Sequence, residues 1–135
     1  MVNIRVAYEG ELHCKATHGP SDAELSTDAP VDNQDRGESF SPTDLVATAL
    51  GSCLLTIMGI AARTLGLDIS GATASVEKSM TAAPPRRIAR LAVRIHVPHA
   101  LSAADREKLE RAARGCPVHR SLHPEIETPM EFTWG

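Results

Sequence analysis

The chain has 135 residues and a mass of 14.4 kDa, the size of one domain, and at 42% hydrophobic and 23% charged it is too apolar to be disordered as a whole. Its net charge of −3 offers no overall attraction for phosphate backbones or anionic lipid, which sets nucleic acid and membrane aside as partners. Only Tyr8, Phe40, Phe132 and Trp134 are aromatic, so the core is built from Ala, Val, Leu and Ile, and a core that small favours burial against a second subunit.

Charge is unevenly placed. Residues 1–44 hold nine acids against three bases (Arg5, Lys15, Arg36), a net of −6, whereas the remainder is net +3. The N-terminus alternates apolar and polar residues and contains acids, with no uninterrupted apolar run of the kind a secretion signal carries, so a cytosolic protein is expected. Val2, Ile4, Val6 and Tyr8, then Leu12, Cys14 and Ala16 around Gly10, predict a hairpin over residues 2–17. A short strand near Ala23 to Thr27 follows, and then a long, acidic surface loop over residues 28–40.

Ser41 suits an N-cap, Pro42 the first helical position, and Asp44 stands three residues after the cap, close to a capping box. Leu45, Val46, Ala49, Leu50, Cys53, Leu54, Ile57, Met58, Ile60 and Ala61 then cover most of a helix circumference, and Gly66 supplies a stop signal. The stretch Leu45–Ala62 is long enough for a membrane span, but its many Ala, Gly, Ser and Thr residues favour a buried helix at the centre of a soluble fold. Residues 72–77 and 89–97 alternate as two antiparallel strands joined by TAAPPRR. A capped helix from Ser102 through Arg114, a short helical segment to about His123 and a last strand Met130–Trp134 complete an α+β order of elements.

Chemistry points to the cysteines at 14, 53 and 116, an odd number that argues against a structural disulfide framework. Cys14 sits on the apolar face of a strand, where a thiol is a small hydrophobe. Cys53 lies mid-helix beside Gly51 and Ser52, small residues that permit close approach by another backbone or a substrate; the helix dipole gives it no help, so a reactive Cys53 needs a cation, and arginine suits because it stays charged. Cys116 precedes Pro117 and so occupies the N-cap of a short helix, where free amides favour a thiolate and exposure greater than that of Cys53 is expected.

The segments SPTDLVATALGSC (residues 41–53) and RGCPVHRSL (residues 114–122), in this order of elements, resemble the OsmC/Ohr family of osmotically induced and organic hydroperoxide resistance proteins, and in particular its OsmC-like branch. The resemblance covers essentially the whole chain. It implies one OsmC-like domain over residues 1–135, with antiparallel sheets wrapped around a long buried central helix in an intertwined homodimer whose two active sites lie at the subunit interface. It further implies a peroxidatic thiol at Cys53 and a resolving thiol at Cys116, an organic hydroperoxide as substrate, a dithiol reductant, and no cofactor. Family members place a glutamate ten residues before the peroxidatic cysteine, and here Thr43 stands there with Asp44 after it. They also use an N-terminal arginine, for which this chain offers Arg5 or Arg36. Arg36 is preferred because its loop leads directly into the Cys53 helix.

Several of these residues have rival readings. Cys116, His119 and His123 form C-x-x-H-x-x-x-H, but Pro124 ends the segment and no fourth ligand is adjacent, so solvent-facing histidines and no metal are expected. Arg86, Arg87, Arg90 and Arg94 read as a solvated strand face. Asp44 reads as a cap residue before a catalytic acid. The alternative to a thiol peroxidase is a non-catalytic dimeric binding module for an apolar ligand on the same fold, and replacing Cys53 separates the two.

Overall fold

The computed structural model describes residues 1–29 and 39–135. The chain forms two compact units, Met1–Val46 and Ala47–Gly135. In the first, β1 (Ile4–Gly10), β2 (His13–His18) and β3 (Glu24–Asp28) make an antiparallel meander in the order β1-β2-β3, with Tyr8 opposite Cys14 and Ala16 opposite Leu25. The β1–β2 turn puts Gly10, Glu11 and Leu12 at φ of 89, 53 and 59, and only the glycine adopts that region without steric cost. Because directly opposed residues share a face, Ile4, Val6, Tyr8, Cys14, Ala16 and Leu25 form one apolar surface. It is open in the single chain: Val6 is 65% exposed and Tyr8 66%.

Helix α1 (Pro42–Leu65) begins within this unit and has the bounds its end signals predict. Asp44 N–H donates to Ser41 Oγ at 3.0 Å and Ser41 N–H donates back to Asp44 Oδ2 at 2.9 Å, a reciprocal capping box with aspartate in the acid position. At the far end Gly66, at φ +70, and the bonds Gly66 N–H to Arg63 O (3.2 Å) and Leu67 N–H to Ala62 O (2.8 Å) close a Schellman motif.

The second unit contains the rest of α1, β4 (Thr73–Met80), β5 (Ile88–Val97), α2 (Ala103–Ala113), α3 (Pro117–Ser121) and β6 (Met130–Trp134). Its sheet runs β4-β5-β6. The β4–β5 pair is antiparallel as expected, whereas β5 and β6 are parallel, so the architecture is α+β with one mixed sheet. A parallel pair needs a long crossover, which the segment carrying α2 and α3 supplies. Leu91, Val93, Ile95 and Val97 of β5 are buried while Arg90, Arg94 and His96 are exposed, the alternation the sequence carries. They share the core with Leu50, Leu54 and Met58 of α1, Leu109 of α2 and Cys116.

On α1 the buried residues are Ala47, Leu50, Gly51, Leu54, Met58 and Ala62, one stripe at helical spacing. The helix is long and apolar enough to cross a membrane, but this stripe is packed within the fold. Expected to be covered all round, α1 keeps Ala49 and Ile60 exposed in the single chain, because one small sheet covers only one face of a helix.

Candidate functional site

Cys53 follows the tightest part of the α1 seat. A Cβ at Gly51 would stand 3.1 Å from Val76 Cγ2 and 3.6 Å from Ala74 Cβ, so a glycine lets the helix settle onto β4. Two residues on, Cys53 is half-buried. Cys116 comes from the α2–α3 junction, where Gly115 N–H and Cys116 N–H bond to Ala112 O (3.0 Å) and Ala113 O (3.1 Å) and close α2. Cys116 is the N-cap of α3, and its Sγ accepts from His119 N–H at 3.4 Å.

The fold brings the two thiols together: Cys53 lies near enough to Cys116 to shift the ionisation of its thiol, although 63 positions separate them in the chain. Both are free, as is Cys14, which lies in the other unit on β2. The expectations that Cys116 is more exposed than Cys53 and that its N-cap position favours its thiolate are overturned. It is 0% exposed, and burial first, then the neighbouring Cys53 thiol, push its pKa above the ordinary value of 9.0, while the amides of His119 and Val118 pull the other way. Burial wins because α3 has only five residues, too short to present a large end charge.

Asp44 is engaged in the helix cap, and Thr43, at the position of the family glutamate, joins it through an Oγ1 contact of 3.2 Å to Ser41 Oγ. Arg5 is exposed on β1 and lies 4.0 Å from Asp22. Arg36 lies outside the described residues. Arg87, Arg90 and Arg94 pair with Glu125 (3.2 Å), Glu127 (3.6 Å) and Glu131 (3.4 Å), so their charge is met within the protein. Such exposed pairs contribute little stability, but they remove the free cationic face an anion would need.

The two histidines differ. α3 stops at Ser121, so His119 and His123 do not share a helical face. His123 is exposed, with Nδ1 accepting from Glu125 N–H at 3.1 Å. His119, expected to face solvent, is half-buried, and its Nε2 stands 2.8 Å from Thr128 Oγ1. Among the described residues no group of three or more His, Cys, Asp or Glu side chains is placed to hold a metal. The partnership with Thr128 has no sequence signal, since a threonine in an irregular segment nine residues away carries no periodicity. Arg106 of α2 and Arg114, the C-cap of α2, lie over the Trp134 (6.0 Å) and Phe132 (5.8 Å) rings of β6.

Comparison with known proteins bears on the family and the fold. A family model described as OsmC-like protein matches residues 34–131. A solved structure from Psychrobacter arcticus, of a protein named for an osmotic stress induced and detoxification response, is 45% identical with a TM-score of 0.92, over 98% of this chain and 96% of that one. An OsmC like protein from Mycoplasma pneumoniae, 16% identical, has a TM-score of 0.83 over 99% and 96% of the two chains. The organic hydroperoxide resistance protein OhrB of Bacillus subtilis, 13% identical, has a TM-score of 0.72 over 98% and 97%. Comparison with curated protein sequences finds no match.

Proposed function

The chain belongs to the OsmC-like family, and from that premise we propose that it is a cysteine-based peroxidase that reduces organic hydroperoxides in a stress response. The observation that carries this reading is the proximity of two free thiols, Cys53 and Cys116, that lie far apart in the chain. The Cys53 thiolate attacks the distal oxygen of the hydroperoxide, the O–O bond breaks, and the alkoxide leaves and takes up a proton as the alcohol. Cys53 is then a sulfenic acid. The Cys116 sulfur gives up its proton and attacks the Cys53 sulfur, the S–O bond breaks, and the departing hydroxide and that proton form water. A dithiol reductant restores both thiols by exchange, and the cycle converts one hydroperoxide and one dithiol to alcohol, water and a disulfide.

The raised pKa of Cys116 supports this division of labour. A thiol kept protonated by burial is a poor nucleophile toward peroxide and stays reduced until a sulfenic acid forms beside it. Leu50 and Leu54, both 0% exposed on the same helix, give the surroundings of Cys53 an apolar character suited to an organic rather than a hydrogen peroxide. The apolar face of β1–β3 and the open side of α1 support a homodimer, with residues 1–135 acting as one domain in the cytosol. Arg36 is the proposed cation for the Cys53 thiolate. Asp44, besides capping α1, or the loop over residues 28–40 takes the place of the missing glutamate.

Peroxidase assays with cumene hydroperoxide, hydrogen peroxide and a dithiol test the proposal. Turnover of the organic substrate, lost in Cys53→Ser, is expected. Absence of turnover with every hydroperoxide and dithiol leaves the binding-module alternative in its place.

A further inference from the structure

We propose that His119 is a positioning residue for the resolving thiol, tying Cys116 to the sheet through Thr128 so that its sulfur is held toward Cys53. The inference rests on the two-thiol reading of the site. It starts from a mechanical problem: Cys116 is buried, but the five-residue α3 that it caps has no fully buried residue of its own, so length and packing hold that helix only in part. Cys116 at its start is the sulfur that has to be presented accurately.

His119 makes the two contacts that solve this. Its amide donates to Cys116 Sγ at 3.4 Å, and its ring Nε2 meets Thr128 Oγ1 at 2.8 Å in a part-buried setting. Thr128 is in turn a fixed point. The residues on either side of it are bonded to β5, Leu91 N–H to Glu127 O at 2.8 Å and Val93 N–H to Pro129 O at 2.9 Å, and Glu127 N–H returns a bond to Ala89 O at 3.0 Å. The line from the sheet through Thr128 and His119 to the Cys116 sulfur therefore consists of hydrogen bonds and one residue's backbone. Disulfide closure requires two Cα atoms within roughly 7 Å and correctly aimed Cβ atoms, a tolerance that a five-residue helix without a further tie would meet only part of the time. Removing the tie leaves Cys53 untouched and reduces the fraction of time Cys116 is in position.

The test separates the two steps of a single turnover in the full-length protein. Thr128→Val keeps the shape and removes the hydroxyl, Thr128→Ser keeps the hydroxyl, and His119→Ala removes the ring. With cumene hydroperoxide, Thr128→Val and His119→Ala should consume peroxide at the wild-type rate yet close the Cys53–Cys116 disulfide about tenfold more slowly, the factor one hydrogen bond supports. Thr128→Ser should restore closure, and the double variant His119→Ala/Thr128→Val should be no slower than His119→Ala. Should Thr128→Val unfold, the comparison of His119→Ala with wild type carries the test. Wild-type closure rates in the valine and alanine variants, or equal slowing of both steps, overturn the proposal.

Diamide provides an arm independent of peroxidase activity, since its N=N bond takes two electrons and two protons from the thiol pair and becomes a hydrazine. If wild-type protein consumes no hydroperoxide but diamide closes the disulfide with the same ranking of variants, the peroxidase reading fails and the positioning role of His119 stands. Absence of the disulfide with both oxidants overturns both.

Discussion

Replacing Cys116 by Ser or by Ala separates its structural role from its chemical one. In the structure its Sγ accepts from His119 N–H at 3.4 Å and is 0% exposed. Serine keeps an acceptor at an N-cap position that serines favour, so Cys116→Ser should lie within about 1 kcal/mol of wild type. Alanine removes the acceptor, at about 1 kcal/mol for the cap and roughly 1 more for the amide left short of a partner. For a chain of this length that difference is roughly 4–10 °C in Tm. Trp134, the single tryptophan, packs under Arg106 and gives a fluorescence signal for the melt. Both variants should nonetheless fail identically in chemistry. After excess cumene hydroperoxide without reductant, intact mass should show a gain of about 32 Da at Cys53, the sulfinic acid, where one equivalent leaves wild type about 2 Da lighter. Equal destabilisation by Ser and Ala would refute the capping argument. A disulfide still forming in Cys116→Ser, by way of Cys14, would refute the pairing.

Arg36→Met should slow the reaction of Cys53 with hydroperoxide, followed by stopped-flow; an unchanged rate moves the assignment to Arg5 or to another arginine. Size-exclusion chromatography with light scattering should give twice the chain mass at micromolar concentration, and a monomer would contradict the reading of the open apolar faces. Leu54→Ala, at a side chain 0% exposed, should cost about 2–5 kcal/mol in urea unfolding, and a cost under about 1 would mean that the α1 stripe is not packed as described. Because burial raises the Cys116 pKa, the folded protein favours the neutral thiol, so its contribution to stability is whole below the ordinary thiol value of 9.0 and is lost as pH rises through the raised value. Tm should accordingly fall more steeply above pH 9 in wild type than in Cys116→Ser, and parallel curves would contradict the direction of the shift.

How much of this was legible beforehand depends on how local each signal is. The bounds of α1, from Pro42 to Leu65, rest on contacts spanning three to five residues: the Ser41–Asp44 box at one end and the Gly66 motif at the other. The alternation of β5 is equally local, since successive side chains point to opposite faces whatever the rest of the chain does. The proximity of Cys53 to Cys116 was legible only through resemblance, because nothing in a separation of 63 residues says that two sulfurs come near each other.

By itself the sequence determined which segments are helix and strand, which faces are apolar, and which residue types carry chemistry. The tertiary structure decided the parallel β5–β6 pairing, the burial of Cys116 and the tie from His119 to Thr128. The physical reason is the same in each case. A cap or an alternation is set by neighbours along the chain, whereas the pKa of Cys116 depends on what α1 and the core place around its sulfur. At that site an N-cap position argued for an exposed thiol inclined to ionise, and the packing of distant residues produced a buried one with a raised pKa.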